Sequence, residues 1–369
     1  MAFSFQFNYN CVVFTSQIGE IGISSDSSAV NVQILQGNKA ILNERYFTYG
    51  GKVVLYDIGG LMENNMRTKE ISYALYSIKV FKTDGSLADS CTLSVLYCDR
   101  MTTYSNIESF LEENFLTTLA IRRVSPDDTF YLYYYGTEGE DNTVTINCLW
   151  MSSAVNDGNK SFTSHINGNG LTKAGVNTVI VNQSNIKEEI SQVYGIQPSV
   201  IELVSLTVSV GERSITCFVD YSLKSNDGFY FRNCFNVSEV ANLPISSTIK
   251  TEVERSTAVV NTTSSFYNQR VKTVYEVQSG SLTSDEAEWI DQLFTSYNVT
   301  KKVYNVYDAA NAMIQRQVLI TNSTCEISDG DEKPNSVKFS WRFADNRASV
   351  RLSPSHNVFC TPPFNPIFD

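Results

Sequence analysis

The feature that most constrains the fold is Ser225-Asn226-Asp227-Gly228, set between two apolar-rich runs in residues 214–240. Asp-Gly between alternating apolar residues signals a β-hairpin, because a tight turn needs φ > 0 and glycine adopts it without a Cβ penalty. Ile215, Cys217 and Val219 share one face of the first arm, with Phe218 on the other. Phe229 and Phe231 share a face of the second arm, and Tyr230 points away. The pattern predicts a central hairpin with at least one buried face.

A chain of 369 residues is too long for one ordinary core and predicts two or three domains. Frequent Val, Ile and Thr, with 20 Tyr and 21 Phe, raise β-propensity along most of the chain. The expected fold class is mainly β: β-sandwich-like domains in series, the C-terminal one with a packed α-helix. The net charge of -11 opposes binding to nucleic acid, which needs Lys and Arg to displace counterions. The first ten residues alternate as a strand does and lack the basic and apolar regions of a signal peptide. No run reaches the ~18 apolar residues of a membrane helix. Synthesis in a cytoplasm, without membrane insertion, is the expectation.

Residues 1–100 read as an N-terminal β-sandwich-like domain. Its strands are Cys11–Phe14, Ile21–Ile23, Ala29–Leu35, Arg45–Tyr49 and Lys52–Asp57, with a short helix or turn after Ile58. Ile71–Phe81 and Cys91–Tyr97 follow, joined through Asp84-Gly85. Residues 101–116 read as a connector with a short helix, capped at Ser105 or Asn106 and apolar at 107, 110, 111 and 115.

Residues 117–242 read as a second β domain, with strands at Thr117–Val124, Thr129–Gly136, Thr143–Met151, Val176–Val181 and Val200–Val210 before the central hairpin. A helix is predicted over Ser184–Tyr194 from Ile186, Ile190 and Val193 and a start like a capping box. Residues 243–369 form the C-terminal domain, with strands at Thr248–Val260, Val271–Val277, Lys302–Tyr307, Gln317–Ile320 and Ser336–Phe343. Thr283-Ser-Asp-Glu286 is a capping box, followed at helical spacing by Ala287, Ile290, Leu293 and Phe294. The domain ends in an extended Pro-rich tail.

No Walker loop, G-x-S-x-G or H-E-x-x-H motif is present. A Ser-His-Asp or Cys-His site would have to use His165, in a polar loop, or His356, before the tail. The acidic groups Asp127-Asp128, Glu138–Asp141 and Asp329–Glu332 sit in loops where solvated charge is the default reading. The last of them also lacks EF-hand spacing for calcium. No catalytic residue, cofactor or metal site is expected, so the chain reads as a non-enzyme. The eight cysteines form no C-x-x-C pair and read as reduced, buried thiols, with Cys217 and Cys234 as possible neighbours across the hairpin. Tyr131, Tyr133 and Tyr135 are a candidate glycan-binding face or ordinary strand material. Phe364, Ile367 and Phe368, held among Pro362, Pro363 and Pro366, are a candidate interface. They need a groove on the chain's own third domain or on a neighbouring subunit.

Phe229–Glu239, the Trp-containing acidic helix Glu286–Ser296 and the ending Phe339–Asn346 resemble β-rich virion structural proteins of tailed bacteriophages infecting gut bacteria. The resemblance spans roughly residues 200–345. It implies a tail, neck or baseplate-hub component that assembles into an oligomeric ring, in a virion, with copies of itself and other virion proteins as partners. The alternatives of another class are a host-surface or glycan-binding β module, resting on the tyrosine face, and a glycan-degrading enzyme using carboxylates.

Overall fold

The structure, a computed structural model, describes residues 2–5, 9–101, 106–140, 143–166, 173–223, 228–243, 245–304, 313–326 and 335–345. The fold is mainly β, with several sheets in series and a helix packed near the last one. By its internal contacts the chain divides into two compact units. The first is Met1–Ser225 with Phe231–Asn242 and Thr295–Tyr297; the second is Asn226–Tyr230, Leu243–Phe294 and Asn298–Asp369.

The first unit opens with strands β1 (Ala2–Phe5), β2 (Val12–Phe14), β3 (Ile21–Ser24), β4 (Ala29–Gln36), β5 (Lys39–Phe47) and β6 (Lys52–Leu55). Helix α1 (Ile58–Thr68) and strands β7 (Tyr73–Phe81) and β8 (Leu87–Leu96) follow. They form a three-stranded sheet, β1-β3-β6, and a five-stranded sheet, β2-β8-β7-β4-β5. Alternation puts Ile21, Ile23 and Leu55 from one sheet and Val32, Ile34 and Ile78 from the other into one core, with Met62 and Met66 of α1. Gly59 lets α1 approach closely: a Cβ there would lie 2.3 Å from the Thr15 carbonyl oxygen. The Asp84-Gly85 hairpin forms as predicted. Gly85 has φ +85°, Asp84 Oδ1 accepts from the Ser86 amide at 2.9 Å, and Phe81 pairs with Leu87.

Helix α2 (Ile107–Glu113) is capped by Asn106, whose side chain accepts from the Glu108 amide. Strands β9 (Ile121–Val124), β10 (Thr129–Gly136), β11 (Val144–Ser152), β12 (Val155–Ile166) and β13 (Gly175–Asn182) then lead to helix α3 (Gln183–Tyr194). Its cap is Asn182, two residues before the Ser184 start that the sequence pattern suggested, and Gly195 closes it in the left-handed region. Ile186 and Ile190 are buried and Val193 is exposed. Strands β14 (Ile201–Val210) and β15 (Arg213–Val219) complete a five-stranded sheet, β12-β11-β14-β15-β9, beside the β10-β13 pair. Trp150, Leu206, Cys217, Leu132 and Val181 lie in the core shared by these strands and α3.

The central hairpin does not form. Ile215 and Cys217 are buried and Phe218 is exposed, as the alternation predicts, but β15 and β16 (Phe229–Arg232) belong to different sheets. Both edges of β15 are taken, one by β14 antiparallel and the other by β9 parallel, so no edge is left for the second arm. The tight turn lies one strand earlier: Gly211, at φ +58°, reverses the chain between Val210 and Arg213. Residues 225–227 are outside the described residues.

Between β16 and β17 (Ser238–Ala241) runs a buried turn. Asn233 Oδ1 accepts from the amides of Phe235 at 2.9 Å and Val237 at 3.2 Å, and its Nδ2 donates to the Leu116 carbonyl at 2.8 Å. Asn236 adopts φ +58°, donates to the Ile71 carbonyl at 2.9 Å and accepts from the Tyr297 hydroxyl at 2.6 Å. Phe235 packs with Phe14 and Phe110 in a cluster that also holds Leu96, Tyr135 and Cys98. The neighbour of Cys234 is therefore Cys98, not Cys217: the two thiols share a hydrogen bond, and the Asp99 amide donates to the Cys234 carbonyl at 3.2 Å. The described cysteines are unbridged thiols.

In the second unit β18 (Ile245–Val260), β19 (Thr263–Ser279), α4 (Ser284–Thr295), β20 (Thr300–Tyr304), β21 (Met313–Glu326) and β22 (Ser336–Phe343) follow in order. The strand order is β16-β20-β21-β22-β19-β18. The capping box of α4 closes reciprocally, Thr283 amide to Glu286 carboxylate at 2.9 Å and Glu286 amide to Thr283 hydroxyl at 3.2 Å. Ala287, Ile290 and Leu293 are buried, and the Phe294 ring lies 5.5 Å from that of Phe339. Phe229 meets the edges of Phe339 and Trp341.

Candidate assembly surface

Strands β18 and β19 are far longer than the sheet that anchors them. They pair from Ile245↔Ser279 to Val260↔Thr263, whereas β19 meets β22 only over Tyr275–Gln278. From Lys250↔Val274 outward the two strands continue as an arm reaching roughly 35 Å at ~3.4 Å per residue. The root is fixed by Tyr275, whose ring stacks on Trp341 at 4.1 Å and 8°, and by buried Val277. The tip turns through Asn261 and Thr262, both at positive φ, as a two-residue hairpin loop requires. A bulge opposite Thr257 realigns the register between Phe266 and Asn268.

The alternation of β18 and β19 gives the arm two chemically different faces. Ile249, Thr251, Val253, Arg255, Thr257 and Val259 lie on one side of β18, and register adds Phe266, Val271 and Tyr275 to that largely apolar side from β19. The arm's apolar residues are open to solvent: Ile249 is 62% exposed, Phe266 63% and Val259 70%. The Arg255 guanidinium lies over the Phe266 ring, at 5.1 Å. The other side is ionic. Glu252 opposes Lys272 and Glu254 opposes Arg270, with ion pairs Lys272–Glu254 at 2.6 Å and Lys250–Glu276 at 2.7 Å. The hydrogen bond from Lys272, helped by its charge, holds the Glu254 carboxyl below its ordinary range.

At the root the ionic face runs into an open groove of about 310 Å³. Register aligns Ser246, Gln278, Lys338 and Thr324 in one cross-strand row and Thr248, Glu276, Ser340 and Asn322 in the next. This surface offers hydroxyl, amide and charged groups, with no exposed ring among its lining side chains.

The candidate residues named from the sequence fall elsewhere. Tyr131, Tyr133 and Tyr135 share a face of β10 but not an environment. Tyr131 is 40% exposed, Tyr133 is half-buried, and Tyr135 is buried against Tyr73 with ring centroids 5.5 Å apart. Burial pushes the Tyr135 hydroxyl up to about 12. Phe364, Ile367 and Phe368, His356 and the Asp329–Glu332 group lie outside the described residues. His165 is exposed on β12, its Nδ1 3.5 Å from the Thr145 hydroxyl. Asp127 pairs with Lys187 and Glu140 with buried Arg213, both at 2.6 Å. Among the described residues no group of three or more His, Cys, Asp or Glu side chains could hold a metal ion.

The arm was visible in the sequence only as two separate strands, Thr248–Val260 and Val271–Val277. The signal for one long hairpin was the β-branched and charged alternation continuing on both sides of Asn261-Thr262.

No family model and no curated protein matches this chain. Among solved structures, the crystal structure of CBD12 from CALX1.2 is similar over 57% of this chain and 79% of that one, at 11% identity and a TM-score of 0.17. A likeness at that score supports no statement about this chain.

Proposed function

We propose that this chain is a structural assembly protein, acting through protein–protein contacts and not through catalysis. The observation that carries the reading is the arm: a two-stranded hairpin with an apolar face open to solvent. Isolated two-stranded hairpins are marginal in water, and contiguous exposed apolar surface marks interaction sites. The virion setting, as a tail, neck or baseplate-hub component, rests on the resemblance carried by Phe229–Glu239, Glu286–Ser296 and Phe339–Asn346. The test is mass photometry of the purified chain over a concentration series, with negative-stain imaging of the larger species. Discrete oligomers of defined symmetry support assembly. A strict monomer at every concentration, together with turnover of a polysaccharide, would replace it with the enzyme reading.

A further inference from the structure

We propose that β18 pairs edge to edge with β18 of a second copy of this chain, antiparallel about a two-fold axis at Thr251. This rests on the assembly reading and names one of its contacts. Among the described residues β18 is the last strand of its sheet, with β19 on one side and no strand on the other. Every residue from Ser246 to Arg255 is exposed, on both faces, so no described part of the chain overhangs this edge. An open edge presents unpaired amides and carbonyls, which a further strand satisfies. The second copy lies outside β18, and its own β19 and β22 follow beyond its β18, so the two sheets extend away from each other.

The sequence of β18 suits such an axis. A two-fold antiparallel pairing sets residue 251 opposite itself and joins residues equally far from it on either side. Ile249-Lys250-Thr251-Glu252-Val253 is complementary to itself in that register. Lys250 meets Glu252 twice, Ile249 meets Val253 twice, and Thr251 meets Thr251, all favourable cross-strand pairs. The rows already present in each hairpin then run on across the seam. Tyr275 and Ile249 of one copy continue into Val253 and Val271 of the other as one apolar row, and Thr273 and Thr251 continue into Thr251 and Thr273. On the ionic face Glu252 comes to lie between Lys272 of its own copy and Lys250 of the other. Moving the axis one residue toward the root would oppose Lys250 to itself. Moving it one residue toward the tip would oppose Glu252 to itself and set Ile249 beside Arg255. Charge and apolar matching together fix the register. The contact is isologous and closes at two copies, so growth beyond a dimer uses another surface.

The experiment makes two single reversals in the full chain, Lys250→Glu and Glu252→Lys. Both side chains are exposed, so each variant should keep the wild-type thermal melt. Each reversal sets like charges opposite each other twice in its own dimer, whereas a dimer of one variant with the other has both opposite-charge pairs again. By analytical ultracentrifugation the dimer Kd of each variant should rise about tenfold over wild type. An equimolar mixture, each variant carrying its own fluorophore, should form mixed dimers as tight as those of wild type. Glu252→Lys lowers the net negative charge, so overall charge alone would tighten its dimer, the reverse of the expected result. Variants that dimerise as wild type does, or a mixture that does not recover, overturn the pairing while leaving the assembly reading intact. A wild type that stays monomeric at every concentration removes both. A second measurement changes no charge. Thr251→Cys should link to itself under mild oxidation, giving a covalent dimer joined at residue 251 by peptide mass spectrometry. Thr257→Cys, exposed on the same side of the strand, should not self-link. Equal self-linking of the two, or none at residue 251, refutes the axis. In hydrogen exchange, amides of residues 246–256 should gain protection as wild type dimerises. If they are already protected in the dilute monomer, the chain itself covers the edge and the proposal is wrong.

Discussion

Phe235→Ala tests whether the buried turn after β16 secures the first unit. Phe235 is 4% exposed, and its ring lies 5.7 Å from Phe110 of α2 and 5.9 Å from Phe14 of β2. Truncating a buried phenylalanine costs about 3–5 kcal/mol in transfer and cavity terms. Each lost ring pair adds roughly 0.5–1.5 kcal/mol where its geometry is favourable. The site cannot collapse easily, because Asn233 fixes the backbone on both sides of it through the Phe235 and Val237 amides. The expected loss, near the upper end of ~3–5 kcal/mol, is a large part of a typical domain's ~5–15 kcal/mol. A urea series read by hydrogen exchange follows each unit separately, which a single melting curve of a two-unit chain does not. Amides of α2, β2 and β8 should open first and together in the variant, with the arm unaffected. A stability change within about 0.5 kcal/mol, or loosening confined to residues 233–237, would refute the claim that this ring cements the unit. Phe235→Leu, which keeps most of the volume, should lose under ~1.5 kcal/mol.

Thr283→Ala removes one half of a closed capping box and should cost the second unit about 1 kcal/mol, measured by thermal melt; no loss would mean that packing alone fixes the start of α4. Glu63 and Asp99 are both held above the ordinary carboxylate range, in each case first by burial, with Asp99 also raising Glu63. A carboxyl raised on folding binds more protons in the native state, so its contribution falls as pH rises from the unfolded to the folded pKa. Glu63→Gln should therefore be at least as stable as wild type at pH 7, with the difference vanishing below the ordinary carboxylate range; a variant weaker at pH 7 and equal at low pH contradicts this. Burial pushes the Cys148 and Cys217 thiols up to about 12, so alkylation of the native protein at pH 8, followed by mass spectrometry, should leave both unmodified. Mild oxidation should link Cys98 to Cys234, and a Cys217–Cys234 link would contradict the packing described above.

What the sequence determined is local. Which way a strand side chain faces follows from the two-residue period of extended backbone, so Ile215 and Cys217 point inward and Phe218 outward whatever the strand pairs with. Caps are equally local, since Thr283 and Glu286 satisfy amides within one turn of themselves. The Asp84-Gly85 turn forms because its two strands have each other's edges available. The Asp-Gly signal at 227–228 is just as strong in composition, yet β15 is already paired on both edges, and the chain crosses to another sheet. Edge competition is non-local, and no property of residues 214–240 encodes it. The same holds for Asn233 and Asn236, which are buried because distant carbonyls at Leu116 and Ile71 take up their amide donors. It holds for the Cys98–Cys234 pair, brought together across the unit, and for Tyr135, whose burial is set by Tyr73. The arm shows the division most clearly. Its alternation was legible in the sequence, but its standing beyond β22 depends on how short a stretch of β19 the neighbouring strand covers, and that is decided only when the sheet is assembled.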